Sequence, residues 1–100
     1  MIASTHSLGT FTAADETGTE FSFDSSPGPA SVTVSCDATY DGSIAIQIKN
    51  GDGTGSEWIE YATHAADGFT EINAPYQHIR CVGSTATAGN AYANLCWIRS

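Results

Sequence analysis

Apolar and polar residues alternate along most of the chain after residue 18. Ile44, Ile46 and Ile48 give the most regular example, because one small or polar residue separates each from the next. Successive side chains of a β-strand point to opposite faces, so a two-residue period predicts a strand with one buried face. Strand-like segments lie at residues 21–24, 32–36, 44–48, 58–63, 69–73, 76–83 and 91–99.

Turn-forming residues separate these segments. Asp41-Gly42 and Asp67-Gly68 are tight-turn pairs, residues 25–29 contain two prolines, and residues 50–55 read NGDGTG. No window has a sustained helical period, and β-branched and aromatic residues dominate the apolar set. The sequence therefore predicts an all-β protein, a single antiparallel β-sandwich or jelly roll.

The first 18 residues differ from the rest. They are mostly small and polar, and only Ile2, Leu8 and Phe11 are apolar anchors. We expect an extended N-terminal arm over residues 1–18, with one short strand near residues 8–12, followed by one β-sandwich domain over residues 19–100. Such an arm either packs on a neighbouring subunit through its anchors or frays.

Charge narrows the choice of partner. Eleven acidic residues outnumber the three basic ones, Lys49, Arg80 and Arg99, and the formal net charge is −8. A nucleic-acid-binding protein needs a basic patch to neutralise phosphates, and anionic lipid attracts basic segments, so neither partner is predicted. Only 14% of residues are charged. Small side chains lose little conformational entropy when a partner covers them, so this surface favours contact formation.

The start of the chain lacks the basic and apolar regions of a secretion signal, and no apolar run reaches the length of a membrane span. We therefore expect synthesis in a host cytoplasm, after which the protein stays there or leaves inside an assembly.

Candidate chemistry is sparse. Cys36, Cys81 and Cys96 form no zinc-type pair, and the two that alternate with polar strand residues, Cys36 and Cys81, are expected in the core as inert thiols. The loop that begins at Asn50 has residues able to bind calcium at several positions of an EF-hand motif. Its twelfth position, however, is Tyr61, where an EF-hand needs glutamate. His6, His64 and His78 are isolated. We predict no cofactor, no metal site and no enzymatic activity.

The aromatic residues admit two interpretations. Trp58, Tyr61, Tyr76 and Trp97 are candidate stacking platforms for a sugar, but alternation favours Trp58 and Trp97 as core or interface residues. Arg80 is expected either to meet a carboxylate or an interface, or to be solvated. The predicted interface set consists of Ile2, Leu8, Phe11, Trp58, Tyr76, Arg80 and Trp97.

A resemblance covers about two-thirds of the chain. Its elements are the Ile44 to Ile48 strand, Glu57-Trp58-Ile59, Ala66-Asp67-Gly68, Ile72, Ala74-Pro75-Tyr76, Ile79-Arg80, Thr87-Ala88-Gly89, and a final strand with Ala93 and Leu95. In this order they resemble small β-sandwich proteins encoded in tailed-phage structural gene clusters.

The resemblance implies a bacteriophage virion structural protein and supplies no catalytic residues to carry over. We favour a capsid decoration (cement) protein on the head surface that binds the major capsid protein or other virion subunits as a homo-oligomer, with a trimer favoured. The alternative is a receptor- or carbohydrate-binding module of a tail or fibre.

Overall fold

Antiparallel strands form most of the described chain. The computed structural model describes residues 2–12, 15–23, 30–49, 58–73, 76–84 and 86–99. Its strands are β1 (Ile2–Phe11), β2 (Asp15–Thr17), β3 (Phe21–Ser22), β4 (Ala30–Cys36), β5 (Ser43–Lys49), β6 (Ile59–His64), β7 (Gly68–Ile72), β8 (His78–Ser84) and β9 (Ala91–Arg99).

The strands form two packed sheets. The first sheet has the order β1-β9-β4-β7, and the second has the order β2-β8-β5-β6, with β3 also paired to β8. All of these pairs are antiparallel. The predicted all-β class and the sandwich of two antiparallel sheets are confirmed. Within the described residues, no helix has both the length and the apolar character to cross a bilayer.

The core lies between the two sheets and follows the two-residue period. In β5 the side chains of Ile44, Ile46 and Ile48 are buried, while the intervening residues are only partly buried. In β8, Ile79 and Cys81 point inward as the alternation predicts. The first sheet contributes inward-pointing residues of β4 and β9: Ala30, Val32, Val34, Ala91, Ala93 and Leu95. Apolar burial between these strands is the main favourable term in folding.

The N-terminal segment differs from the predicted arm. Residues 2–11 pair with β9 along its whole length, so they are a strand of the first sheet. Leu8 and Phe11 are both 0% exposed. Glycine makes room for the Phe11 ring, because a Cβ atom on Gly83 would lie 3.0 Å from the Phe11 Cδ1 atom. Burial of two large apolar side chains therefore explains why this polar segment joins the sandwich.

Two irregularities change which side chains face inward. A bulge between Ser7 and Gly9 interrupts β1, and Gly9 adopts a φ of 130°, which glycine tolerates best. A second irregularity lies where β6 passes Ile46 and Gln47 of β5. There Tyr61 and Ala62 both pack against the core. The two-residue period predicted for residues 58–63 would place these two adjacent residues on opposite faces if it were unbroken, and the irregularity breaks it.

Replacing Leu95 with alanine should lower the free energy of unfolding by about 2–5 kcal/mol, because a fully buried leucine leaves a cavity in the central strand β9. Urea denaturation followed by circular dichroism measures the change. Thr33→Ala, at an exposed position of β4, is the control and should change stability by less than about 0.5 kcal/mol. Equal losses in the two variants would contradict this description of the core.

Candidate contact surfaces

The outer face of the first sheet is almost free of charge. Pairing places Ser7, Asn94, Thr33 and Phe69 in one row across the sheet, because Asn94 is opposite both Ser7 and Thr33 and Thr33 is also opposite Phe69. Glu71 is the one charged side chain among the described outward positions of this face. We call this surface the Ser/Thr face; it comprises Thr5, Ser7, Thr10, Ser31, Thr33, Ser35, Phe69, Glu71, Tyr92, Asn94 and Cys96.

Two large side chains stand out of this small-residue surface. Phe69 is 65% exposed and Tyr92 is 37% exposed. Tyr92 lies opposite Ser35, two residues along β4 from the partner of Phe69. Exposed aromatic rings on a surface with little charge are typical of the centre of protein interfaces, where charged residues are depleted. The Ser/Thr face can therefore be covered with little charge desolvation and little loss of side-chain entropy.

The outer face of the second sheet has a different chemistry. The Arg80 Cζ atom lies 4.3 Å from the centroid of the Trp58 ring, and the Lys49 Nζ atom lies 4.8 Å from it. Arg80 also donates from Nε to Gln47 Oε1 at 2.7 Å. Among the described residues, neither cation has a carboxylate within 4.0 Å. Within the described part of the chain, Arg80 therefore contacts the Trp58 ring and the Gln47 amide, and it does not contact the carboxylate that the sequence suggested.

A cluster of four aromatic rings, Phe21, Phe23, Tyr76 and Trp97, lies at the end of the core opposite the Asp41 turn. The Trp97 ring lies 5.0 Å from the Phe21 ring and 5.3 Å from the Phe23 ring, measured between centroids. Phe23 in turn meets Tyr76 edge-on at 5.8 Å. Tyr76 is fully buried, and burial raises the pKa of its hydroxyl to about 12. These rings pack mainly against one another, which is the arrangement of core aromatic residues.

The predicted interface residues therefore occupy separate places. Leu8, Phe11 and Tyr76 belong to the core of the same chain, and Trp97 packs against that core. Among the members of the set whose side chains are described, Trp58 and Arg80 meet on an outer surface. The backbone of Ile2 pairs with Arg99 at the end of β1. In this conformation Leu8, Phe11 and Tyr76 offer almost no surface to a partner, because apolar burial within the chain already uses them.

Several acidic residues have a structural role at one end of the sandwich. Asp41 accepts hydrogen bonds from the Thr87 hydroxyl and from the backbone amides of Thr87 and Ala88. The carboxylate of Asp67 accepts from the Cys36 amide at 2.6 Å, and Asp37 accepts from the Asn90 amide at 3.2 Å. Three of the acidic residues therefore accept hydrogen bonds that fix the positions of loops. The only sequence signal for this role is aspartate beside a turn, which does not name its distant partner.

The described residues include all three cysteines and most of the candidate metal ligands. Among them no three His, Cys, Asp or Glu side chains converge as a metal site. The possible calcium loop at residues 50–57 lies outside the described residues. The Cys81 thiol is buried, and burial raises its pKa to about 12. The pKa of Cys36 is raised by burial and, to a smaller extent, by Asp67 and Asp37. A raised pKa makes both thiols poor nucleophiles.

Two comparisons with known proteins identify no relative. A scan against protein-family models finds no matching family, and a search of curated proteins finds no match.

Replacing Asp41 with asparagine should make the free energy of unfolding depend less on pH in the acidic range. Hydrogen bonds from Thr87, and then from Ala88, lower the pKa of Asp41 below its ordinary value of 3.8. A lowered folded-state pKa means that the carboxylate stabilises the fold above the unfolded-state pKa. That contribution is lost as pH falls through the folded-state pKa. Asp41→Asn should be less stable at neutral pH and should lose less stability on acidification, as measured by urea denaturation at several pH values.

The control for this experiment is Glu71→Gln, which removes one carboxylate from the exposed side of β7. It removes the same charge at an exposed position and should leave the stability at neutral pH within about 0.5 kcal/mol of the wild type. An Asp41→Asn variant with the wild-type response to acid would show that the loop contacts do not contribute in this way.

The two tryptophans should respond differently to truncation. Trp97→Ala should lower the free energy of unfolding by about 3 kcal/mol, because its ring packs against both Phe21 and Phe23. Trp58→Ala should lower it by only about 1 kcal/mol, the size of exposed cation–π contacts. Denaturation followed by circular dichroism gives both values. A larger loss for Trp58 would place the main aromatic contribution on the outer face instead.

Proposed function

We propose that this protein is a structural subunit of a bacteriophage virion, a head decoration (cement) protein that stabilises the mature shell through surface contacts. The observation that carries the proposal is the Ser/Thr face, a nearly uncharged sheet surface with Phe69 exposed on it. The partner is the major capsid protein or another virion subunit. The phage part of the proposal comes from the sequence resemblance, and the contact surface comes from the fold.

The distribution of charge supports a defined contact surface. The chain carries a net charge of −8, yet Glu71 alone is charged among the described outward positions of the Ser/Thr face. Acidic residues lie instead at the loop end, at Asp37, Asp41 and Asp67, and along β2. Two large surfaces can approach most closely where neither has to desolvate charge. The Ser/Thr face therefore suits close packing on a shell subunit.

A shell is stabilised when the decoration protein binds the mature lattice and not its precursor. Binding to only one of two states shifts the equilibrium toward that state by mass action. A sandwich whose contact face is already formed by paired strands suits this role, because such a face loses little conformational entropy on binding. No moving part or bound cofactor is required for such a mechanism.

The alternative is a receptor- or carbohydrate-binding module, and one observation favours it. Trp58, Arg80 and Gln47 lie together on the outer face of the second sheet, and sugar sites combine a ring with polar side chains. However, the cationic groups of Arg80 and Lys49 already lie over the Trp58 ring. A sugar would have to compete with them for the ring, so the contact-forming role remains the better supported proposal.

The test is co-sedimentation of the purified protein with expanded and unexpanded heads of the phage that encodes it. Wild-type protein should bind expanded heads only. Phe69→Glu should weaken binding about tenfold or more, because a charge buried at an interface without a partner costs over about 1.4 kcal/mol. Equal binding of wild-type protein to both kinds of head, or binding to neither, would refute the proposal.

Ile59→Glu is the matched control. Ile59 is 64% exposed, almost the same as Phe69, but it lies on edge strand β6 of the second sheet. The control therefore introduces the same charge at an equally exposed apolar residue away from the Ser/Thr face. It should bind like the wild type. Weakening by Ile59→Glu and not by Phe69→Glu would assign the contact to the other sheet.

A further inference from the structure

Strand β1 has one edge that no described strand covers. Its inner edge pairs with β9, and β1 ends the order of the first sheet. The Leu8 carbonyl accepts a hydrogen bond from the Thr19 amide, so chain from the other sheet covers β1 beyond the bulge. Residues 2–7 precede the bulge and form a straight segment of roughly 20 Å at about 3.3 Å per residue. We call this segment the open edge.

The open edge lacks the features that usually block edge-to-edge pairing. Charged side chains, proline, bulges and short length all discourage a second chain from adding to a sheet. Among the other edges, β7 has five residues, β2 has three, β3 has two, and β6 contains an irregularity. Residues 2–7 read IASTHS and contain neither proline nor a permanently charged residue. The open edge is therefore the best template for an added strand within the described part of the chain.

We propose that the open edge pairs antiparallel with the same edge of a second copy, across a two-fold axis that passes beside Thr5. The four strands of the first sheet in each copy would then form one continuous sheet of eight. This pairing does not depend on the proposed virion function. It is also distinct from the trimer predicted from the sequence, because an isologous pair closes at two subunits.

The side-chain pattern of the open edge is compatible with itself. With the axis beside Thr5, this residue faces its own copy, and Ser4 faces His6. Thr5 is exposed, whereas Ser4 and His6 are partly buried toward the sandwich interior, so outward residues meet outward ones and inward residues meet inward ones. A shift by one residue would break this match. Threonine opposite threonine is a favourable cross-strand pair.

The distribution of charge favours the open edge as the place where two copies meet. The acidic residues that oppose the pairing lie by neighbouring strands. The net charge of −8 makes two copies repel, and an edge without acidic residues is where they approach at least cost. Glu16 and Glu20 lie by β2 and β3, the adjoining border of the second sheet. At an ionic strength of about 0.15 M the screening length is about 8 Å, so assays at this salt reduce the repulsion from these residues.

The test measures molar mass by light scattering and sedimentation over a range of chain concentrations. Wild-type protein should form a dimer that dissociates on dilution. Thr5→Glu and Thr5→Lys should each raise the dimer dissociation constant about tenfold or more, because like charges then face each other. An equimolar mixture of the two variants should recover the dimer, because opposite charges then meet across the axis.

Thr33→Glu and Thr33→Lys are the matched controls. Thr33 is exposed on the same sheet but lies on the interior strand β4, and the charge changes are identical. Both controls should dimerise like the wild type. Hydrogen exchange should also show protection of amides in residues 3–7 that increases with wild-type concentration, which reports on the edge without any substitution.

A wild-type protein that is monomeric at every concentration, or a trimer, would overturn the proposal. So would a dimer that responds equally to the Thr5 and Thr33 substitutions, or mixed Thr5 variants that stay monomeric. Head binding by Phe69→Glu reports separately on the proposed function, because Phe69 lies on β7, at the opposite end of the sheet order from β1, and its substitution leaves the open edge unchanged.

Discussion

The structure depends on burial of apolar side chains between two sheets that are each polar outside. Ile44, Ile46 and Ile48 of β5 face inward, as do Val32 and Val34 of β4, so an interior strand of each sheet lines the core. Every other element packs relative to this contact. Because each strand presents alternate residues to opposite sides, a fixed core also fixes which residues reach solvent. On β4, Val32 and Val34 point into the core, and the residues that alternate with them point outward and form part of the Ser/Thr face.

The sequence predicted strands well where an unbroken period coincided with burial. The Ile44 to Ile48 segment and the Ile79 and Cys81 positions follow the pattern. It predicted β1 poorly, because residues 2–7 carry little apolar signal and pair through backbone groups that are common to all residues. It also failed at Tyr61, where a bulge changes the period, and pattern alone does not reveal a bulge. Local periodicity thus predicts strands but not every partner.

Surface chemistry was less accessible to prediction. The sequence indicated a small-residue exterior, but only the strand order shows that the uncharged positions of four strands form one face. It suggested carboxylate partners for Arg80, whereas the described contacts are with Trp58 and Gln47. Sequence-distant side chains meet through sheet register, and register depends on the whole fold. For the same reason, Leu8, Phe11 and Tyr76 were predicted at an interface and lie in the core.

The contrast between the two broad sides of the sandwich gives the molecule a defined polarity. One side is nearly uncharged, and the other carries Trp58 with two cations over its ring. A protein that binds a shell through its neutral side has its other side facing outward. Every copy in a regular array would then present the same ring and cations outward. Such a coat would repeat one tryptophan ring covered by two cations at every subunit, although the individual subunit is strongly acidic.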